Sequence, residues 1–118
     1  MYVDGFLLAV PTDRIEDYKK MAQTAGEVWM EHGALSYVEC IADDVPYGEL
    51  TSFPRAVQQK DGETVIFAWI TYESREARDA INEKVMADPR LKDQMDMKDA
   101  PFDGKRMIYG GFRTLLEF

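Results

Sequence analysis

Apolar positions in the first third of the chain fall at Ile15, Tyr18, Ala22, Ala25 and Trp29, with His32 completing the series. The steps alternate between three and four residues, which keeps all six on one face of an α-helix. Asp13 followed by Glu16 has the spacing of a capping box at its start, and Gly33 supplies the left-handed residue that closes its end. A second stripe, Ala77, Ile81 and Val85, predicts a helix capped by Ser74 and running to about Ala87, where Pro89 interrupts it. Arg90–Met95 is expected to add a short extra turn, and Asp96–Gly104 to be a connector.

Four segments have the β-branched and aromatic content of strands: Tyr2–Val10, Ala34–Ala42, Glu63–Tyr72 and Arg106–Leu116, the last broken at Gly110-Gly111. Asp43–Gly62 is too long for an ordinary connection. It is expected to hold an edge strand or hairpin or to act as a lid, with Thr51-Ser52-Phe53 its ordered piece.

The order β-α-β-β-α-β predicts a ferredoxin-like α+β sandwich, one domain over residues 1–118, with two helices on one face of a four-stranded sheet. A half-exposed strand alternates apolar and polar residues, but the third strand does not. Val65, Phe67 and Trp69 fill one face while Ile66, Ala68 and Ile70 fill the other. The first strand behaves alike, with Phe6, Leu8 and Val10 opposite Leu7 and Ala9. Two helices cover one face only. Covering about 600 Å² of the second would contribute roughly 15 kcal/mol gross at 25 cal/mol/Å², before association costs. A homodimer pairing sheet to sheet is the expected cover, and folding of Asp43–Gly62 over its own sheet is the alternative.

Composition narrows the partners. Fourteen Lys and Arg stand against 22 Asp and Glu, a net charge of −8 with no basic stripe. Nucleic acid and anionic membrane surfaces are therefore not expected as partners. No apolar run approaches the roughly 20 residues of a membrane span, and the first residues lack a secretory signal, so a cytoplasmic protein is expected. Cys40 is the only cysteine, which leaves no intrachain disulfide.

His32, the sole histidine, and Glu39, a carboxylate in the row Leu35, Tyr37, Ile41, are the candidate catalytic residues. A helix-end histidine bonded to the last carbonyls is the alternative for His32. Trp29, Tyr37, Trp69, Tyr109 and Arg113 are candidate ligand-binding residues, and Phe53, Phe112 and Met107 join the aromatics that would line a barrel interior. Arg106 and Arg113 are expected to pair with Asp4 or to bind an anionic group. Cys40 is expected to pack beneath the helices as a structural residue. Glu31, His32, Glu39, Asp43 and Asp44 match no metal motif, so neither metal nor cofactor is expected. No nucleophile elbow and no phosphate loop are present. The reading is a dimer binding a small apolar or aromatic molecule near His32 and Glu39, with a cofactor-independent enzyme as one form of it. The alternative is a non-catalytic interaction or sensor domain.

Several blocks together carry a family likeness: Trp29-Met30-Glu31-His32-Gly33-Ala34-Leu35, Ala42-Asp43-Asp44-Val45-Pro46, Thr51-Ser52-Phe53-Pro54, Asp88-Pro89-Arg90-Leu91 and Phe102-Asp103-Gly104-Lys105-Arg106-Met107-Ile108-Tyr109-Gly110-Gly111-Phe112. From about Tyr2 to Leu116 the chain resembles the YbaA-like bacterial family, a domain of unknown function. The resemblance implies a place in the dimeric α+β barrel superfamily, where two ferredoxin-like sheets face each other. That superfamily includes heme-degrading and antibiotic-biosynthesis-type monooxygenases, so a heme, were one bound, would find its only imidazole ligand in His32. Fold kinship transfers no chemistry by itself.

Overall fold

A computed structural model describes residues 1–95 and 98–118. Its sheet holds four strands in the order β2-β3-β1-β4, where β1 is Tyr2–Pro11, β2 Ser36–Ile41, β3 Glu63–Tyr72 and β4 Ile108–Arg113. Every neighbouring pair is antiparallel. The two most apolar strands, β1 and β3, lie at the centre, where their backbone groups are paired on both sides. This is the ferredoxin-like arrangement expected from the strand and helix order. Asp96 and Met97, the start of the expected connector, lie outside the described residues.

Helix α1 spans Ile15–Glu31 and buries Tyr18, Ala22, Ala25 and Val28. Val28 is a fully buried member that the stripe of apolar positions passed over. The expected capping box does not form. A single 3₁₀ turn at Thr12–Arg14 leads into the helix, and no side chain caps it. At the other end Gly33 takes a φ of 114°, and the amides of His32, Gly33 and Ala34 reach the carbonyls of Val28, Met30 and Trp29. Helix α3, Arg75–Ala87, is capped by Ser74, whose hydroxyl accepts from the amide of Ala77 at 3.1 Å. Pro89 then opens α4, Pro89–Met95.

Strand register decides which residues meet the helices. Opposed residues of a ladder share a face, so Leu8 with Ile66, Phe6 with Ala68, and Glu39 with Ala68 lie on one side. That side carries two core clusters, one around Tyr2, Val28, Ile70, Tyr72 and Val85, the other around Leu8, Val10, Tyr18 and Ile66.

The second face is only partly covered. Asp43–Gly62 contains a short helix, α2 (Phe53–Ala56), capped by Ser52, rather than a strand or hairpin. It seats Val57 against Ala9 and Val65, all three buried, and sets Phe53 edge-on to Phe67 at 5.8 Å. Beyond that end, Phe67, Ile108 and Phe112 remain exposed, at 44%, 45% and 65%. The excursion therefore covers one corner of the sheet and leaves an apolar strip uncovered.

Two further expectations are corrected. Cys40 is exposed and lies on the face away from the helices, because it shares the register position of Phe67. Asp4 pairs with Arg78, Nε to Oδ1 at 3.1 Å, not with Arg106 or Arg113. Arg106 instead binds Glu63 at 2.7 Å and Asp103 at 3.2 Å. Both arginines sat near Asp4 only in the sequence pattern of the last strand. Helix α3 supplied the partner of Asp4 and strand β3 a partner of Arg106.

Candidate functional site

Glu39 is the central residue of β2, and the alternation of the strand turns its side chain toward α1. The Tyr18 hydroxyl donates to its carboxylate, lying 2.9 and 2.8 Å from the two oxygens. The Tyr37 hydroxyl, two residues away on the same strand face, donates to Oε1 at 3.1 Å. Tyr37 can lie flat against α1 because Gly26 faces it. A Cβ at position 26 would come within 3.0 Å of the Tyr37 ring.

Burial pushes the Glu39 carboxyl above its ordinary value, and the two phenolic donors hold part of that rise back by favouring the anion. Tyr18 and Tyr37 are displaced upward, first by burial and then by the neighbouring carboxylate, so both remain protonated donors. The result is a carboxylate with a strengthened affinity for protons, oriented by two hydroxyls.

This group stands between two spaces. Outside it, between α1 and the edge strand, runs an open cleft of about 780 Å³ with Ile15, Lys19, Met30 and Ile41 in its walls. Inside it, between the sheet and helices α1 and α4, is a chamber of about 170 Å³ walled by Phe6, Leu8, Trp29, Leu91, Phe102 and Met107, among others. Tyr18, Ala22, Tyr37 and Glu39 line both. The phenol-carboxylate group is thus the shared wall.

A model of the family described as "Protein of unknown function (DUF1428)" matches residues 1–104. The protein YbaA of Escherichia coli strain K12, described as uncharacterized, is 51% identical over 116 residues, 98% of this chain and 97% of its own. The chain belongs to the DUF1428 family. Solved structures show the fold this DUF1428 member shares. Protein Atu4242 of Agrobacterium tumefaciens superposes with a TM-score of 0.58 at 15% identity, covering 96% of this chain and 92% of its own. A protein from an uncultured marine organism, described as a dimeric ferredoxin-like protein, gives 0.55 at 11% identity, over 100% and 98%.

The candidates drawn from the sequence scatter in this DUF1428 chain. Tyr37 joins Glu39. Trp29 stands 6.0 Å from the Tyr37 ring and lines the inner chamber, its indole N–H donating to Asn82 at 3.1 Å. Trp69 borders the inner chamber, while its ring lies beside Phe67 on the opposite sheet face, ring centres 5.6 Å apart. Tyr109 and Arg113 are exposed on the other edge strand.

His32 is elsewhere. Its Nε2 is 3.1 Å from Asp88 Oδ2, and Arg90 joins Asp88 to Glu31 through contacts of 2.9 and 2.6 Å. Arg90, through its side chain and backbone amide, holds the Asp88 carboxyl far below the usual range, and His32 adds to this. The imidazole is bonded to this carboxylate and not to the last carbonyls of the helix. Helical rise alone separates Tyr18 from His32 by about 21 Å at 1.5 Å per residue. The histidine fastens α1 to the α3–α4 corner.

Two residues of the site were not singled out by sequence. Tyr18 appeared only as an apolar position, although a hydroxyl inside such a stripe needs a partner. Gln94, on α4, carried no pattern at all. Among the described residues, no helix is long and apolar enough to cross a membrane, and no group of three or more His, Cys, Asp or Glu is placed to hold a metal ion.

Proposed function

We propose that this protein is a cytoplasmic, self-associating DUF1428 member that binds a small apolar or aromatic molecule between α1 and the sheet, against Glu39. The observation that carries this reading is the Tyr18–Glu39–Tyr37 group, a half-buried carboxylate with a raised proton affinity, set in a wall shared by an open cleft and an apolar chamber. Apolar walls with few, convergent polar groups are the usual composition of small-molecule sites. In a catalytic form of the reading, Glu39 serves as the base and the two tyrosines orient it, without a cofactor. His32 has no part in it, being engaged with Asp88.

Self-association is supported by the uncovered strip of Phe67, Ile108 and Phe112 and by the dimeric description of one structural neighbour. A second copy applied to that strip leaves the Glu39 site, on the opposite face, open.

The test is an NMR fragment screen on the intact protein. Small aromatic fragments are expected to shift the resonances of Tyr18, Ala22, Tyr37 and Glu39 together, and Ala22→Leu, which thrusts three more carbons into the wall the two spaces share, is expected to abolish the shifts. Binding that clusters elsewhere, or that Ala22→Leu leaves intact, refutes the assignment. The same open strip also suits a second reading, a non-catalytic interaction module. On that reading Glu39→Gln leaves every cellular readout unchanged while changes at Phe67 and Phe112 do not.

A further inference from the structure

The chamber behind Glu39 has an uneven supply of hydrogen-bonding groups. Most of its donors are already used. The Tyr18 and Tyr37 hydroxyls both donate to Glu39, the Trp29 indole donates to Asn82, and the Gln94 amide nitrogen donates to the carbonyl of Met21 at 3.2 Å. Its acceptors are not. Glu39 has about four lone-pair positions on two oxygens, and two phenols do not fill them. Among the described residues, Gln94 Oε1 is the buried side-chain oxygen that has no hydrogen-bond partner. A buried acceptor left unpaired costs about 1–3 kcal/mol, but this oxygen has almost no surface that a water-sized probe reaches, which leaves Glu39 as the acceptor the chamber offers.

Size sets the second constraint. The chamber measures about 170 Å³, and a dry apolar cavity of about 150 Å³ takes a benzene ring. Aromatic and aliphatic side chains, Phe6, Trp29, Leu91 and Phe102 among them, make the remaining wall.

Building on the small-molecule reading above, we propose that the chamber selects a single aromatic ring bearing a hydroxyl or amino donor and discriminates against a carboxylate. The ring fills the apolar walls. The donor meets the spare acceptor capacity of Glu39. A carboxylate in the same position finds the phenol and indole donors committed and stands against another carboxyl group, Glu39, so a ring acid is disfavoured.

The experiment is titration of the intact protein at pH 7, followed by NMR or calorimetry, with phenol, benzylamine, toluene and benzoate. Phenol and benzylamine are expected to bind at least tenfold more tightly than toluene or benzoate. Glu39→Gln is expected to weaken benzylamine at least tenfold while leaving toluene unchanged. Glu39→Asp keeps the carboxylate and withdraws it by one methylene, and it is expected to weaken phenol at least threefold; it serves as the second variant should Glu39→Gln not fold. Toluene or benzoate binding as tightly as phenol overturns the donor rule and leaves the cavity reading standing. Failure of all four rings to bind overturns the cavity reading beneath it.

Discussion

The Tyr18 hydroxyl spans both carboxylate oxygens of Glu39, at 2.9 and 2.8 Å. A donor from the helix thereby holds a carboxylate of the edge strand, and this contact joins α1 to β2 across the space between them. Removing the hydroxyl while keeping the ring isolates its effect. Tyr18→Phe is expected to raise the Glu39 pKa further, because the phenol's hydrogen bond favours the anion. A side-chain carboxyl titration by NMR checks this, and a fall in the pKa contradicts the proposed role of the phenol.

The pH dependence of stability has two opposed parts. Because the Glu39 pKa is raised in the folded state, its favourable contribution is present below the unfolded carboxylate value and is lost as pH rises through the folded value. Asp88 and Glu63 are lowered, by Arg90 and Arg106 respectively, so their contributions are present above the unfolded values and are lost as pH falls. Glu39→Gln is therefore expected to remove the loss of thermal stability on going from about pH 4.5 to neutrality and to leave the acid side unchanged. Thermal melts across that range measure it.

Position 111 allows a packing test. A Cβ there would run into the Tyr2 hydroxyl and the Arg78 guanidinium, the same guanidinium that neutralises the buried Asp4. Gly111→Ala is expected to push these side-chain ends aside and to destabilise the fold by about 1 kcal/mol, the low end of the range for overpacking, as read by denaturant unfolding. An unchanged midpoint shows that β4 yields at no cost.

Self-association has its own expected outcome. Phe67→Asp combined with Phe112→Asp places charge on the uncovered strip without touching the helix side. Light scattering is expected to report a dimer for the parent chain and a monomer for the variant, with helix content by circular dichroism unchanged. A parent chain that is already monomeric removes the strip from consideration as an interface.

His32→Ala is expected to lower the thermal midpoint by releasing Asp88 from one of its partners, while ring binding at Glu39 stays the same. Loss of binding in a folded His32→Ala protein would return the histidine to the site.

Periodicity made much of this molecule readable before any coordinates. The stripe of α1, the Ser74 cap, the Gly33 terminus and the two-sided apolar character of β3 are local signals, and each depends on residues a few positions apart. Glu39 was readable for a related reason, as a charge in an apolar row. What could not be read were partnerships made across the fold. Asp4 finds Arg78 and His32 finds Asp88 at separations of 74 and 56 residues, which no spacing rule encodes. Cys40 was misplaced because the faces of a six-residue edge strand are assigned by register with β3, and both faces of that neighbour are apolar.

The two ends of α1 are fastened by different physics. Three backbone amides and the His32–Asp88–Arg90–Glu31 cluster close its C-terminal end. Its first turn has no side-chain cap and is held by Ile15, packed against the core, and by Arg14, which reaches Asp17, Asp99 and the carbonyl of Ala100. Ile15 and Glu16, in that turn, border the outer cleft. A helix pinned at one end and tethered by a screened, solvent-reachable cation at the other frays in one direction. Amide exchange with deuterium is expected to run fastest at the end where the cleft opens, and to quicken there as added salt screens the pair of Arg14 and Asp99.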